Sequence, residues 1–210
     1  MSLLTTWGYT ITDADALADM LSSEEFNTMT ANKYAGDVRI PDNLKAACMA
    51  VRDYCGWHVY PQQVCSFSER LLMGNGRIKR TGADFLIQLP AAFVPSVSSV
   101  TIDGEAWTDY AVEPNGLLRL FDVYDRRITR KTAIAVTYSA GIPAGLMDAV
   151  KELIAHRVTH ALASSAGVQS ESAGGVSITY SANWINSSRA TALADDNKEV
   201  LAPYRVRGVF

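Results

Sequence analysis

The chain has 210 residues, 48% of them hydrophobic and 20% charged, with 19 Lys and Arg against 22 Asp and Glu. That composition is ordinary for a globular chain and excludes a collagen-like repeat, a wholly disordered tail and a disulfide scaffold. The net charge of −3 lacks the basic footprint that generic nucleic-acid binding needs to displace counterions. Domains commonly run about 100–200 residues, so one domain, or one with an inserted subdomain, is expected. Cys48, Cys55 and Cys65 form an odd, sparse set and read as reduced thiols. The start, MSLLTTWGYT, shows no charged region leading into an apolar one, so no secretory leader is expected. No apolar run approaches the roughly 20 residues that span a bilayer.

The first 32 residues hold Asp13, Asp15, Asp19, Glu24 and Glu25 and no Lys or Arg. Thr12 with Asp15 resembles a helix capping box, and Leu17, Met20 and Leu21 supply a short apolar stripe. A second short helix is expected from Ser23, with Phe26 and Met29 on one side. The segment reads as an acidic, solvated helical arm. Pro41 and Asp42 open a clearer helix. Leu44, Ala47, Cys48, Val51 and Cys55 share one face, and Gly56 supplies the stop. Cys48 and Cys55 therefore read as core residues, since a free Cys behaves as a small hydrophobe.

After Pro61 the pattern changes to short apolar runs between turn signals. Asn75-Gly76, Asp103-Gly104 and Asn115-Gly116 are hairpin signals, because these residues tolerate positive φ. Strands are expected over Val64–Leu72, Phe85–Leu89, Val97–Ile102, Leu117–Phe121 and Thr132–Tyr138. In the last, Ala133, Ala135 and Thr137 alternate with Ile134, Val136 and Tyr138, the period of a half-buried strand. Connections this short do not make parallel crossovers, so the module is antiparallel.

Helical periodicity returns after Gly141-Ile142-Pro143. Leu146, Val150, Leu153, Ile154, Val158, Ala161 and Leu162 define a long amphipathic helix stopped at Gly167. Arg157 falls inside its apolar stripe, where a charge needs a partner or an interface. The polar loop Gly167–Gly175 has no apolar anchors and is expected to order only on assembly. Val176, Ile178 and Tyr180 alternate in a brief extended piece. Ser187 or Ser188 can cap a last helix with Ala190, Leu193, Ala194, Asn197 and Leu201 on one face, ended by Pro203. The tail Tyr204-Arg205-Val206-Arg207-Gly208-Val209-Phe210 is aromatic and basic.

The fold class expected is α+β, a helical bundle with an inserted antiparallel β module. Its parts are an acidic arm (1–40), a bundle (41–60 and 142–202), the β module (61–141) and a C-terminal docking tail (203–210).

Catalytic signatures are sparse. Glu152, His156 and His160 sit near one helix face, and two histidines at i, i+4 can ligate zinc. The run His156-Arg157-Val158-Thr159-His160 lacks the Glu that follows the first His in metalloproteases, and no third ligand stands out. Gly74-Asn75-Gly76 sits in a hairpin, and Gly174-Gly175 precedes no Lys-Ser or Lys-Thr, so neither cradles phosphate. Asp122 and Asp125 lie beside Arg126, Arg127 and Arg130 in a self-compensating loop. No catalytic residue, metal site or cofactor is assigned.

Four stretches carry a resemblance. Tyr54-Cys55-Gly56-Trp57, Val100-Thr101-Ile102-Asp103-Gly104, Val136-Thr137-Tyr138-Ser139-Ala140-Gly141 and Ala149-Val150-Lys151-Glu152-Leu153-Ile154-Ala155-His156-Arg157 are similar to tailed-bacteriophage head–tail connector (adaptor, or head-completion) proteins. The likeness covers roughly residues 40–205. It implies a non-enzymatic subunit of a ring, typically twelvefold, in the virion neck and assembled in the host cytoplasm. Such a ring docks under the portal protein, extends the DNA channel and offers a platform to a downstream neck or tail protein. Genomic DNA passes through without sequence-specific binding. By the same resemblance Tyr204, Arg205, Val206, Arg207, Val209 and Phe210 are the candidate portal-docking residues. Arg157, His156 and His160 are candidates for the subunit interface. The alternatives are a tail-completion or tail-terminator ring protein and, further off, a small metal-dependent hydrolase.

Overall fold

The computed structural model describes residues 3–4, 7–12, 17, 19–71, 77–123, 131–163, 170–173, 176–179 and 195–206. The chain is α+β, with helices and antiparallel sheets in two compact units. One unit comprises Met1–Ala18, Cys55–Leu146 and Ala202–Phe210; the other comprises Asp19–Tyr54 and Met147–Leu201.

The first unit is β-rich. Its larger sheet runs in the order β1 (Leu3–Leu4), β2 (Thr10–Ile11), β3 (Gln63–Arg70), β10 (Ala133–Ala140), β6 (Ser96–Ile102) and β7 (Glu105–Ala106), every pairing antiparallel. The smaller sheet runs β4 (Ile78–Thr81), β5 (Asp84–Gln88), β9 (Leu117–Leu120) and β8 (Tyr110–Glu113). All five expected strands are present, with ends shifted by one or two residues. The alternation along β10 works as expected: Ile134, Val136, Tyr138 and Ala140 are buried. Val136 sits opposite Phe67 on one side and Val100 on the other, so a central strand buries one face against two neighbours. In the smaller sheet Phe85 pairs with Leu120 and Ile87 with Leu118, all four buried.

Two of the three hairpin signals act at described positions. Asp103 (φ 51°) and Gly104 (φ 85°) turn β6 into β7, and Asn115 (φ 63°) and Gly116 (φ 70°) lead into β9. Gly116 is required twice over, since a Cβ there would lie 1.9 Å from the Ala91 carbonyl oxygen. Asn75-Gly76 lies outside the described residues, as do Asp125, Arg126, Arg127 and Arg130 of the charged loop.

A buried polar cluster closes the larger sheet. His58 is wholly buried and Tyr9 is 1% exposed. His58 Nε2 lies 3.0 Å from the Ala140 carbonyl oxygen, which can only accept, so Nε2 carries the proton. Nδ1 then accepts from the Tyr9 hydroxyl at 2.8 Å, and that hydroxyl accepts from the His58 backbone N–H at 3.0 Å.

The second unit holds α1 (Ser23–Met29), α2 (Ile40–Cys55, whose last residue belongs to the first unit), α3 (Asp148–Ala163), α4 (Asp195–Leu201) and a hairpin of β11 (Ser170–Ala173) and β12 (Val176–Thr179). Helix α1 begins at Ser23 as expected, and its capping box is complete. Ser22 Oγ accepts from the Glu25 backbone N–H at 3.1 Å, and Glu25 Oε2 accepts from the Ser22 N–H at 2.9 Å. Thr10 and Ile11 pair with β3, and the helix expected after Thr12 falls on Asp13 and Asp15, which lie outside the described residues. The N-terminal segment is also less solvated than its charges imply. Ile11, Met20, Leu21 and Phe26 are buried, and the Met20 N–H donates to Cys48 Sγ at 3.3 Å. Five acids dominate the arithmetic, but the apolar residues between them decide burial.

Helix α2 follows its stripe. Leu44, Ala47, Cys48, Val51 and Cys55 are all buried, each larger side chain contributing about 1.5–3 kcal/mol. Gly56 (φ 77°) ends the helix. Helix α3 buries Val150, Leu153, Ile154, Val158 and Leu162 as expected. Its stripe is shorter at the front, because the helix starts at Asp148: Leu146 is 58% exposed and Met147 is buried instead. The loop Gly167–Gly175 is not structureless throughout, since Ser170–Ala173 pairs with Val176–Thr179. Backbone ladder bonds supply the order that the missing apolar anchors do not. Residues 180–194, with the caps Ser187 and Ser188, and Gly167 lie outside the described residues. The last helix is present over Asp195–Leu201, with Leu201 buried.

Candidate functional site

Three surfaces can be built from the residues upward. The first is the C-terminal segment of the β-rich unit. Leu201 is followed by a 3-10 turn at Ala202–Tyr204, where Pro203 removes a helical donor. The Trp57 indole N–H donates to the Tyr204 carbonyl at 2.6 Å, and the Val206 N–H donates to the Cys55 carbonyl at 3.0 Å. Tyr204 and Val206 are thus half-buried and Arg205 is exposed. The expected docking tail begins as an anchored strap, and only Arg207, Val209 and Phe210 lie outside the described residues. Trp57 and Cys55 were not anticipated as its anchors; a contact spanning 147 residues leaves no local signal. Burial pushes the Cys55 thiol up to about 12, although the Arg205 cation pulls the other way.

The second surface is the outer face of α3. Spacing of four residues stacks His156 and His160 on successive turns, and both are exposed. Their Nε2 atoms are 3.2 Å apart, with ring centroids at 4.5 Å and planes at 66°. Burial first, and then the neighbouring His156, hold the His160 pKa below its ordinary 6.5. Glu152 is exposed one turn earlier. Arg157 is 8% exposed, on the buried side of the same helix, and burial pulls its guanidinium pKa down. The three candidates therefore share a helix but not a face.

The third surface was not foreseen. Leu21, Glu24, Glu25, Thr28, Met29 and Lys151 line an open groove of about 310 Å³ in the helical unit. The Lys151 ammonium donates to Glu25 Oε1 at 2.5 Å and holds that carboxyl below the usual carboxylate range. Glu25 therefore has two duties, capping α1 and pairing with α3. The Ser22-x-x-Glu25 spacing is a local signal that could have marked the cap; the pairing across 126 residues leaves none.

None of these surfaces assembles a nucleophile, base and oxyanion donors. Among the described residues no group of three or more His, Cys, Asp or Glu could hold a metal ion, and no helix is long and apolar enough to cross a membrane. A family model described as Head completion protein matches residues 19–205, most of the chain and parts of both units. No curated protein matches the chain.

Proposed function

The chain belongs to the head completion protein family, and from that premise we propose that it works as a ring-forming neck subunit that docks under the portal. The family is one of structural phage proteins at the head–tail junction, so the protein is a component of the virion. On our reading it forms a closed ring, typically twelvefold. The ring extends the DNA channel and presents a platform to a downstream neck or tail protein. The single observation that carries this reading is the family match across residues 19–205. The chemistry is assembly: no bond is made or broken, and buried patches supply the free energy. A closed heterologous ring uses two different patches on each subunit, each contact burying about 1,200–2,000 Å². The net charge of −3 suits a conduit that lets DNA pass without gripping its phosphates.

We read residues 41–60 and 142–202 as a helical bundle into which 61–141 is inserted, with 1–40 as an arm. The grouping of α3, α4 and nearly all of α2 in one unit and of β3 to β10 in the other supports the bundle and its insertion, while residues 1–18 group with the sheets and 19–40 with the helices. His156 and His160, on the exposed face of α3, are assigned to the subunit interface, and residues 204–210 to the portal; Arg157 lies on the buried side of that helix. The anchored strap sharpens the test. Deleting 204–210 removes the Trp57 and Cys55 hydrogen bonds, whereas deleting 207–210 spares them. The 207–210 deletion should unfold at the same denaturant concentration as the full chain yet lose portal pull-down. Native mass spectrometry and negative-stain imaging of mixtures with portal should show a ring. A strictly monomeric chain that ignores the portal overturns the proposal.

A further inference from the structure

We propose that His156 and His160 form a two-imidazole clamp for a borderline divalent transition-metal ion of the zinc type. The inference is independent of the portal reading. Helix α3 fixes both side chains on one exposed face, one turn apart. Their Nε2 atoms approach to 3.2 Å. A tetrahedral ion with metal–nitrogen distances of about 2.0–2.1 Å holds two ligand nitrogens about 3.3–3.4 Å apart. A small rotation of either ring reaches that separation, and turning both rings so that their Nε2 lone pairs converge on one point completes the chelate. Without metal, one imidazole N–H donates to the other ring's nitrogen. On binding, the ring that held its proton on Nε2 gives it up and takes one at Nδ1, so both rings stay neutral and the ion takes the bridging position with no net proton release.

The ligating form of the pair is the neutral imidazole. Imidazole favours zinc, copper and nickel over magnesium or calcium. Among the described residues no third ligand joins the two nitrogens of the clamp, so water or a donor from a second molecule fills the positions these residues leave open. That incomplete set sets the site apart from a structural zinc centre, which is closed by four protein ligands.

The chain contains three histidines, and His58 is wholly buried. Metal binding through exposed histidine therefore reports on this pair. The test titrates the chelator-stripped, untagged full chain with zinc chloride by calorimetry. Its retention on nickel-charged iminodiacetate resin is measured in parallel. One zinc ion per chain is expected. His156→Gln and His160→Gln should each weaken binding at least tenfold and abolish retention, with far-UV circular dichroism unchanged. Absence of zinc binding at millimolar concentration overturns the clamp. So does binding that is equal in wild type and both variants, which would place the ion elsewhere.

Discussion

Replacing Tyr9 by Phe removes one oxygen from the interior of the β-rich unit and leaves the ring in place. That oxygen serves His58 twice, donating to Nδ1 at 2.8 Å and accepting from the backbone N–H at 3.0 Å. Both residues are essentially without solvent exposure, so water does not simply take over. A buried polar group that loses its partner costs about 1–3 kcal/mol, and two groups are affected. We expect Tyr9→Phe to lower stability by about 2–4 kcal/mol, with most of the fold retained. Urea unfolding followed by circular dichroism measures this as a fall in midpoint at constant slope, since the exposed area on unfolding hardly changes. The Tyr9→Phe and His58→Leu pair completes a cycle, with a coupling of about 0.5–3 kcal/mol expected for residues in contact. A loss below about 0.5 kcal/mol for Tyr9→Phe would refute the reasoning, because the cluster would then be tolerant of unpaired groups.

The turns offer a matched pair. Gly104→Ala meets open space and carries only the cost of positive φ, about 1–2 kcal/mol, whereas Gly116→Ala also drives a Cβ against the Ala91 oxygen. Thermal melts should therefore rank Gly116→Ala well below Gly104→Ala; equal losses would discount the close approach. The thiols should be silent in the native state: burial raises Cys48 and pushes Cys55 and Cys65 to about 12. A colorimetric disulfide reagent at pH 8 should register all three only after denaturation, and rapid native reaction would contradict their burial. The Arg39 guanidinium bonded to Asp37 holds that carboxyl at about 2 instead of 3.8. Because the folded value is depressed, this pair's contribution is present above about pH 4 and fades as pH falls toward 2. Carboxyl NMR titration should place Asp37 near the lower value, and Arg39→Gln should return it toward the upper one.

The sequence by itself determined what depends on neighbours along the chain. The buried stripe of α2, its stop at Gly56, the alternation along β10 and the turns at Asp103-Gly104 and Asn115-Gly116 were all readable. Helical and strand periods and positive-φ tolerance are local properties. Local reading failed where charge and apolar residues competed. The acidic start looked solvated because charge is easy to count, while burial is set by Ile11, Met20, Leu21 and Phe26. The family resemblance was legible too, in segment order and loose motifs, and the match over residues 19–205 bears it out.

Tertiary structure alone decided the pairings between distant residues. It set β10 between β3 and β6, joined Tyr9 to His58 and His58 to Ala140, tied Glu25 to Lys151, and anchored Tyr204 and Val206 to Trp57 and Cys55. It also separated Arg157 from His156 and His160, burying the first and leaving the others outside. The physical reason is common to all of these. A hydrogen bond or ion pair between residues far apart in sequence depends on how whole elements pack, and no periodicity along the chain encodes its partner.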